Sequence, residues 1–266
     1  MKKFDGVEDT LFIPLAGRIY ASKHFKEYFY DEKALELEDY LPIDTIQENT
    51  DEYFTVASFS RIKEFDELVK KFISKHKESN VVCLGCGFET MYFRIKPTNA
   101  TFYEIDMPEV IRQRKIVLGE KEDEILIGSN ILDYTWMDKV DRTKPTIMIV
   151  SGVFQYLHCE EIVKLIKEIK KQFEDVEMVF DCMNTKGLKK ANDYVKKTGN
   201  NDATIYFALD KVEDFAKECG VKLIGVLPFY YTLRKVLRKK LKFSTKFLCY
   251  FGDKLGFTKL VYLKIK

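Results

Sequence analysis

Two short stretches of the sequence carry residue types suited to binding a nucleoside. An apolar run from Val81 to Leu84 ends in Gly85-Cys86-Gly87, and a second run, about 20 residues further on, ends in Glu104-Ile105-Asp106. Glycine at the end of a strand lets the backbone turn sharply and approach a ligand closely. A carboxylate at the end of the next strand can accept both hydroxyls of a ribose. In this order and at this distance, the two stretches predict a nucleoside site at the carboxyl ends of neighbouring parallel strands.

The residues around these glycines indicate which kind of nucleoside is bound. A dinucleotide needs a third glycine three residues after Gly87, where the helix approaches the pyrophosphate, and Thr90 stands there. The sequence contains no Gly-Lys-Ser or Gly-Lys-Thr phosphate loop, which argues against ATP. A cofactor without phosphates, held by its ribose and an amino-acid tail, fits best. S-adenosylmethionine is such a cofactor.

Cysteine and histidine are common metal ligands and acid–base groups, but in this sequence they provide few further candidates for a functional site. Cys83 and Cys86 form a C-x-x-C pair, but zinc needs two further ligands, and no second pair of this kind occurs. We therefore predict no metal site. Of the three histidines, His158 follows the fourth predicted strand and is a candidate pocket residue, together with Tyr156.

The elements that must position these residues are those of a parallel sheet covered by helices. Apolar runs predict strands at 81–84, 101–106, 125–128, 146–150 and 176–180, with two more at 221–227 and 260–265. Amphipathic stretches between them predict helices, and a long helix is predicted over 51–77. Near-continuous apolar runs separated by helices are typical of strands buried on both faces. Upstream, Leu11, Leu15 and Ile19 could share a helix face, and Pro42 and Asp44 break that pattern.

These elements predict one Rossmann-like α/β domain spanning residues 1–266. Its sheet is doubly wound, mostly parallel and seven-stranded, with an antiparallel last strand. Residues 1–78 form an N-terminal helical cap, and residues 79–266 form the core, with a basic helical insertion at about 229–256.

Five stretches of the sequence resemble one known family. They are 10–18 (Thr-Leu-Phe-Ile-Pro-Leu-Ala-Gly-Arg), 31–34, 84–90, 103–110 and 151–157. Together they are similar to the leucine carboxyl methyltransferase family, which includes bacterial polyketide O-methyltransferases. The most distinctive block is acid-x-acid-x-Pro, here Glu104 to Pro108.

The resemblance implies contacts to the cofactor on both sides of the first strand. Gly85 would pack against the methionine portion, and Gly87 would shape the same loop. Asp106 would hold the ribose hydroxyls, with Glu104 beside it as the second acid of the block.

Further contacts implied by the resemblance come from other elements. Asn130 and Ile131 match the place where the family contacts adenine, and Arg61 matches an arginine that pairs with the methionine carboxylate, for which a bidentate guanidinium is suited. Ser151 and Gly152 would lie beside the sulfonium. The chain departs from many relatives at Ser151, where they carry glutamate, and at Asn130, where aspartate is common.

The implied activity is methyl transfer from S-adenosylmethionine to a small-molecule carboxylate or hydroxyl. Attack by an oxygen on the sulfonium methyl needs in-line positioning and exclusion of water more than an acid or base. A carboxylate needs no general base, whereas a hydroxyl would want one, so the scarcity of histidine favours a carboxylate. Two alternatives remain: a protein C-terminal carboxyl methyltransferase, and a methyltransferase-like protein that binds the cofactor without turnover.

Composition limits the partners of the chain. A net charge of only +2 in 266 residues does not indicate a nucleic-acid binder. No apolar run reaches the roughly 18 residues that a membrane span needs. The first residues, Met1 to Asp5, lack the apolar core of a signal peptide, so we expect a cytoplasmic protein.

The positive charge is concentrated in one segment. Residues 231–246 contain seven Lys or Arg and no acid. Interleaved apolar residues predict an amphipathic helix over Arg234–Lys246. It has three interpretations: a helix packed on the domain with a solvated lysine face, a contact with a membrane surface or acidic partner through residues 231–248, and a lid that admits an anionic substrate.

Overall fold

The protein, here in a computed structural model, is described over residues 12–40, 51–197 and 204–266. Its strands are β1 (Ser79–Leu84), β2 (Ala100–Asp106), β3 (Glu124–Gly128), β4 (Thr146–Val150), β5 (Val176–Met183), β6 (Lys222–Pro228) and β7 (Thr258–Lys264). They form one sheet in the order β3-β2-β1-β4-β5-β7-β6, with β7 antiparallel to both its neighbours. The predicted seven-stranded sheet with an antiparallel last strand is confirmed.

Helices flank the sheet on both faces. They are α1 (Phe12–His24), α2 (Glu32–Glu36), α3 (Glu52–Ile73), α4 (Met91–Ile95), α5 (Pro108–Leu118), α6 (Cys159–Gln172), α7 (Thr185–Lys197), α8 (Val212–Cys219), α9 (Tyr231–Val236) and α10 (Phe243–Lys254). None of the helices in the described ranges is long and apolar enough to cross a membrane. Leu11, Pro42 and Asp44, used above to predict the first helix and its end, lie outside the described residues.

The core is divided by the sheet into two layers, which explains why the strands are apolar throughout. On β1, Val82 and Leu84 pack with residues of α6 and α8 on one face. Val81 and Cys83 point to the other face, where they pack with residues of α3. Because successive side chains of a strand alternate between faces, a strand covered on both sides must be apolar at every position.

The N-terminal helices are fixed to this second layer by a buried ion cluster. Arg94 of α4 donates two hydrogen bonds of 2.8 Å to Asp66 of α3 and one of 2.8 Å to Asp31, which caps α2. Arg18 of α1 lies 3.2 Å from both Asp31 and Glu89 and donates to the carbonyl of Phe88. The cap therefore holds the segment that follows the glycines Gly85 and Gly87.

The predicted single helix over Arg234–Lys246 is wrong, because the chain turns between α9 and α10. Both Leu237 and Leu241 are buried in this turn and anchor it to the core. Glu52, the first residue of α3, accepts hydrogen bonds from the backbone of Lys242 and the hydroxyl of Thr245, so a side chain from another element caps the start of α10. Tertiary contacts thus override a helical periodicity that continues through the turn.

Candidate cofactor site

The loop after β1 has a backbone that only glycine adopts readily. Gly85 has φ +70° and Gly87 has φ +49°, both in the left-handed region. A Cβ at Gly85 would lie 2.3 Å from Cγ2 of Val153, which follows β4. The amides of Gly85 and Cys86 donate to the carbonyl of Ile105 in β2, at 2.8 and 3.1 Å. The loop is thus packed tightly between the ends of β2 and β4.

Asp106, at the end of β2, faces this loop. One carboxylate oxygen accepts the amide of Gly87 at 2.7 Å and the other accepts the amide of Met107 at 2.7 Å. Burial raises the pKa of Asp106, and the two backbone hydrogen bonds oppose that rise. Since each carboxylate oxygen has more than one lone-pair site, the fixed carboxylate can still accept hydroxyl donors.

Glu104 is placed differently from the prediction. Glu104 is fully buried within β2, two residues before Asp106. One of its carboxylate oxygens lies 3.5 Å from the guanidinium of Arg114 on α5. Burial raises its pKa to about 7. The expected place of Glu104 beside Asp106 in a ribose contact is therefore not supported, because no surface of its side chain is available to a ligand.

Arg114 was missed by the sequence analysis. Its guanidinium binds the end of the loop after β1 that contains Gly85 and Gly87, the glycine loop. It donates to the carbonyls of Gly87 and Glu89 at 3.0 and 2.6 Å and to Glu124 at 2.7 Å. Burial lowers the pKa of Arg114, but the charges of neighbouring acids outweigh burial and raise it. Its position among the buried residues of α5, alongside Val110, Ile111 and Leu118, is the signal that could have revealed it.

Asn130 and Ile131 follow directly from the strand next to Asp106. The amide of Ser129 donates to the carbonyl of Asp106 at 2.8 Å, which brings the loop after β3 to this end of β2. Asn130 is exposed, and its side-chain oxygen accepts the amide of Leu132 at 2.9 Å, whereas Ile131 is buried. The structure thus places them beside the proposed ribose site, and their contact with adenine stays a prediction.

Arg61 and Gly152 meet at a residue that the sequence analysis overlooked, Asp181 of β5. One carboxylate oxygen of Asp181 accepts from Arg61 at 2.8 Å and the other accepts the amide of Gly152 at 2.6 Å. Gly152 has φ +73°, and a Cβ there would lie 2.9 Å from Nη2 of Arg61. Ser151, just before Gly152, is half-buried. The sequence signal for this contact was Asp181 itself, because it is an acid in the otherwise apolar second half of β5.

The donors of Arg61 suit a ligand with a carboxylate. Its Nε is buried and has no hydrogen-bond partner among the described residues, while Nη1 is taken by Asp181. A buried guanidinium N–H without an acceptor lowers the stability of the protein unless a ligand supplies the acceptor. The pair offers an unused cationic donor next to an anionic carboxylate, which fits the zwitterionic end of an amino-acid tail.

The candidate pocket residues lie after Gly152. Tyr156 is half-buried in a short 3-10 helix, Phe154–Tyr156. His158 is exposed, precedes α6, donates its amide to Glu161 at 2.8 Å and packs on Tyr206 with ring centroids 4.7 Å apart. Their roles towards a methyl acceptor stay predictions.

The C-x-x-C pair belongs to the core. Cys83 and Cys86 are buried, and burial raises the pKa of both thiols well above the usual value. In the parts of the chain that the structure describes, no group of three His, Cys, Asp or Glu side chains is placed to hold a metal ion.

Known sequences resemble this chain over more than half of its length. A family model described as leucine carboxyl methyltransferase matches residues 14–170, more than half of the chain. The tetracenomycin polyketide synthesis O-methyltransferase TcmP of Streptomyces glaucescens is 24% identical over 183 residues, covering 68% of this chain and 67% of the relative. The S-adenosyl-L-methionine-dependent methyltransferase dpfgK of Gibberella zeae is 23% identical over 140 residues, covering 49% of this chain and 47% of the relative.

Comparison with solved structures concerns the fold alone. A DUF574 family protein of Streptomyces avermitilis superposes with a TM-score of 0.58 at 12% identity, covering 94% of this chain and 96% of that protein. At this identity, the likeness shows that the two chains share the same arrangement of strands and helices.

Proposed function

Because the chain belongs to the leucine carboxyl methyltransferase family and takes S-adenosylmethionine as its methyl donor, we propose that it is an O-methyltransferase of small molecules. The acceptor is a carboxylate or hydroxyl of a polyketide or another secondary metabolite. Oxygen as the acceptor atom is supported by TcmP, whose name describes polyketide O-methylation.

The proposed position of the methionine end of the cofactor rests on one observation. Arg61, Asp181 and Gly152 meet beside the glycine loop. The unused donor of Arg61 receives the methionine carboxylate, and the anionic Asp181 faces the positive charge of the same ligand. When bound, S-adenosylmethionine supplies an electrophilic methyl group carried on a sulfonium.

The remaining residues bind and orient the cofactor. Asp106 accepts the ribose hydroxyls, Asn130 and Ile131 line the adenine, and Gly85 and Gly87 let the backbone approach the methionine portion. Ser151 and Gly152 lie beside the sulfonium. Because Gly85 packs against Val153, the ribose half and the methionine half of the site are held at a fixed separation.

The acceptor lies beyond Gly152, towards Tyr156 and His158. A carboxylate acceptor is already nucleophilic, so positioning and exclusion of water suffice for its reaction. A hydroxyl acceptor must lose a proton, and His158 is the candidate base for that case.

The test is methyl transfer from S-adenosylmethionine carrying a labelled methyl group to a panel of aromatic carboxylic acids and phenols. We expect formation of S-adenosylhomocysteine together with a labelled product. Mild alkali releases labelled methanol from an ester and leaves an ether intact, so the same sample identifies the acceptor group.

Three results would contradict the proposal. Transfer to nitrogen or carbon would overturn the acceptor atom. Labelling only of the C-terminal carboxyl groups of added proteins would favour a protein carboxyl methyltransferase. Cofactor binding without turnover on the panel or on a cell extract would indicate a binding protein.

A further inference from the structure

Helix α10 presents an apolar face to the solvent. Phe243, Phe247 and Tyr250 are 81%, 54% and 44% exposed, and their spacing of four and three residues places them on one stripe. Leu248, which follows Phe247 but lies about 100° round the helix from it, is also 43% exposed. The opposite face is buried and contains Thr245, Cys249 and Gly252. A helix on a protein surface normally has the reverse polarity, with its polar residues outward.

Basic residues are frequent in α10 and in the turn and helix before it. Within the described parts of the chain, six basic side chains near α10 have no carboxylate within ion-pair distance: Lys235, Arg238, Lys239, Lys242, Lys246 and Lys254. By contrast, Arg234 pairs with Asp253 at 3.2 Å and Lys240 pairs with Glu27 at 2.5 Å. We call the four apolar residues of α10 together with these six cations the α10 surface.

The chemistry of the α10 surface limits what can cover it. The occupant must bury aromatic side chains and at the same time offer negative charge around them. A second copy docked by the same surface would bring two clusters of unpaired cations together, and like charges repel. An anionic lipid bilayer offers both features, since phosphate groups lie directly above an apolar acyl layer.

We propose that the α10 surface docks the protein on a membrane surface rich in anionic lipid. Phe243 and Phe247 enter the boundary between headgroups and acyl chains, as apolar residues of interfacial helices do. The turn between α9 and α10 lies beside them and places Arg238, Lys239 and Lys242 against lipid phosphates. Because α10 packs on α3 through Glu52, the docked surface is rigidly connected to the helix that carries Arg61.

Co-sedimentation of the full chain with vesicles tests this proposal. Two vesicle types are compared: phosphatidylcholine alone, and phosphatidylcholine mixed with phosphatidylglycerol. We expect binding to the mixed vesicles and little binding to the neutral ones. Phe243→Ser with Phe247→Ser should weaken binding about tenfold or more, and Lys239→Gln with Lys242→Gln about tenfold to thirtyfold, because each cation near an anionic surface contributes attraction.

Control variants carry comparable changes at exposed positions elsewhere. Ile116→Ser alters a side chain that is 72% exposed on α5, and Lys121→Gln with Lys139→Gln removes two exposed cations outside the α10 surface. Both controls should bind the mixed vesicles as the unaltered chain does. The exposure of all substituted side chains keeps the fold intact, and an unchanged melting temperature verifies this.

Several outcomes would overturn the proposal. The unaltered chain could fail to sediment with mixed vesicles, or the α10 variants could bind as well as the controls. Equal binding to neutral vesicles would show that the cations do not contribute to binding. Self-association in vesicle-free buffer that Phe243→Ser with Phe247→Ser abolishes would assign the surface to a second copy of the chain instead.

Discussion

The carboxylate of Asp181 lies between a guanidinium and a backbone amide, at 2.8 and 2.6 Å, and its charge governs how Arg61 can meet a second anion. With its side chain only 9% exposed, the Asp181 carboxylate is weakly screened by water. An arginine without such a partner would attract any anion, whereas this pair favours a ligand that brings both signs of charge.

Replacing Arg61 tests its proposed pairing with the methionine carboxylate. Arg61→Ala should weaken S-adenosylmethionine binding strongly and leave plain adenosine nearly unaffected, because adenosine has no carboxylate. Arg61→Lys should also weaken it, since an ammonium lacks the planar fork. Titration calorimetry with both ligands measures the difference.

Lys63→Ala, on the same helix and with a solvent-exposed pairing to Glu67, serves as the control for Arg61 and should bind both ligands normally. Equal losses for both ligands in Arg61→Ala would mean that Arg61 acts through packing. Arg18 would not take over its role, because its buried guanidinium already donates to Phe88 and Glu89.

Asp181→Asn separates charge from shape. The amide oxygen of asparagine can still accept from Gly152, but the negative charge is lost. We expect the affinities for S-adenosylmethionine and S-adenosylhomocysteine both to fall about tenfold, because both ligands carry the ammonium group of the amino-acid tail. A loss confined to S-adenosylmethionine would place Asp181 beside the sulfonium, and unchanged affinities would restrict it to holding Arg61.

Asp106→Ala removes the proposed acceptor of the ribose hydroxyls. Hydrogen bonds to a charged group contribute roughly 1.5–3 kcal/mol, so cofactor affinity should fall about tenfold to a hundredfold. Adenosine should lose affinity equally, unlike in the Arg61 variants. Asp123→Ala, at an exposed position before β3, should have no effect, and unchanged affinity in a folded Asp106→Ala would move the ribose role elsewhere.

At the scale of elements, the site depends on how three strand ends are fastened to their neighbours. The loop after β1 is fixed by Asp106 of β2, by Val153 after β4 and by Arg114 of α5. Arg114 also lies between Glu104 and Glu124, and all three side chains are completely buried. Two carboxyls facing one guanidinium leave Glu104 poorly compensated.

This arrangement predicts a pH-dependent contribution to stability. The pKa of Glu104 is about 7 in the folded protein, above its usual 4.5, so the folded state retains the proton through this range. Stability from Glu104 is therefore full below about pH 4.5 and is lost as the pH rises through about 7, by roughly 3 kcal/mol in total. Glu104→Gln should lack this loss.

The measurement is the difference in unfolding free energy between the unaltered chain and Glu104→Gln, from pH 4 to pH 8 by denaturant titration. The variant should gain relative stability as the pH rises. A difference that stays constant over this range would show that folding does not shift the pKa of Glu104.

The sequence was most informative where burial determines residue type locally. Apolar runs located all seven strands of the described sheet, and Gly85, Gly87 and Asp106 predicted where the candidate cofactor site lies, because these positions require particular residues whatever lies elsewhere. The turn at Leu237 could not be predicted, since leucines four residues apart fit a continuous helix and the break depends on Glu52, far away in the sequence. Asp181 and Arg114 were missed for the same reason: their partners come from other elements.

At the scale of the whole molecule, the exposed charge and the cofactor site lie on connected elements. The cap contacts the segment after the glycines through Arg18, Arg94 of α4 pairs with Asp66 and Asp31 of the cap, and α10 binds the cap through Glu52. A disturbance of α10 therefore reaches α3, which carries Arg61, through contacts that include Glu52.

The insertion of β7 between β5 and β6 also sets an order of events during synthesis on the ribosome. Strands β1 to β5 can pair as they emerge, but β6 hydrogen-bonds within the described sheet only to β7 and must wait for it. Until then the nascent chain carries an open edge at β5, which invites pairing with other chains. A chain stopped after Gly256 should therefore pellet after translation or stay bound to chaperones, whereas the full chain should remain in the supernatant. If the shortened chain remained in the supernatant with a native circular dichroism spectrum, the sheet would close by another route.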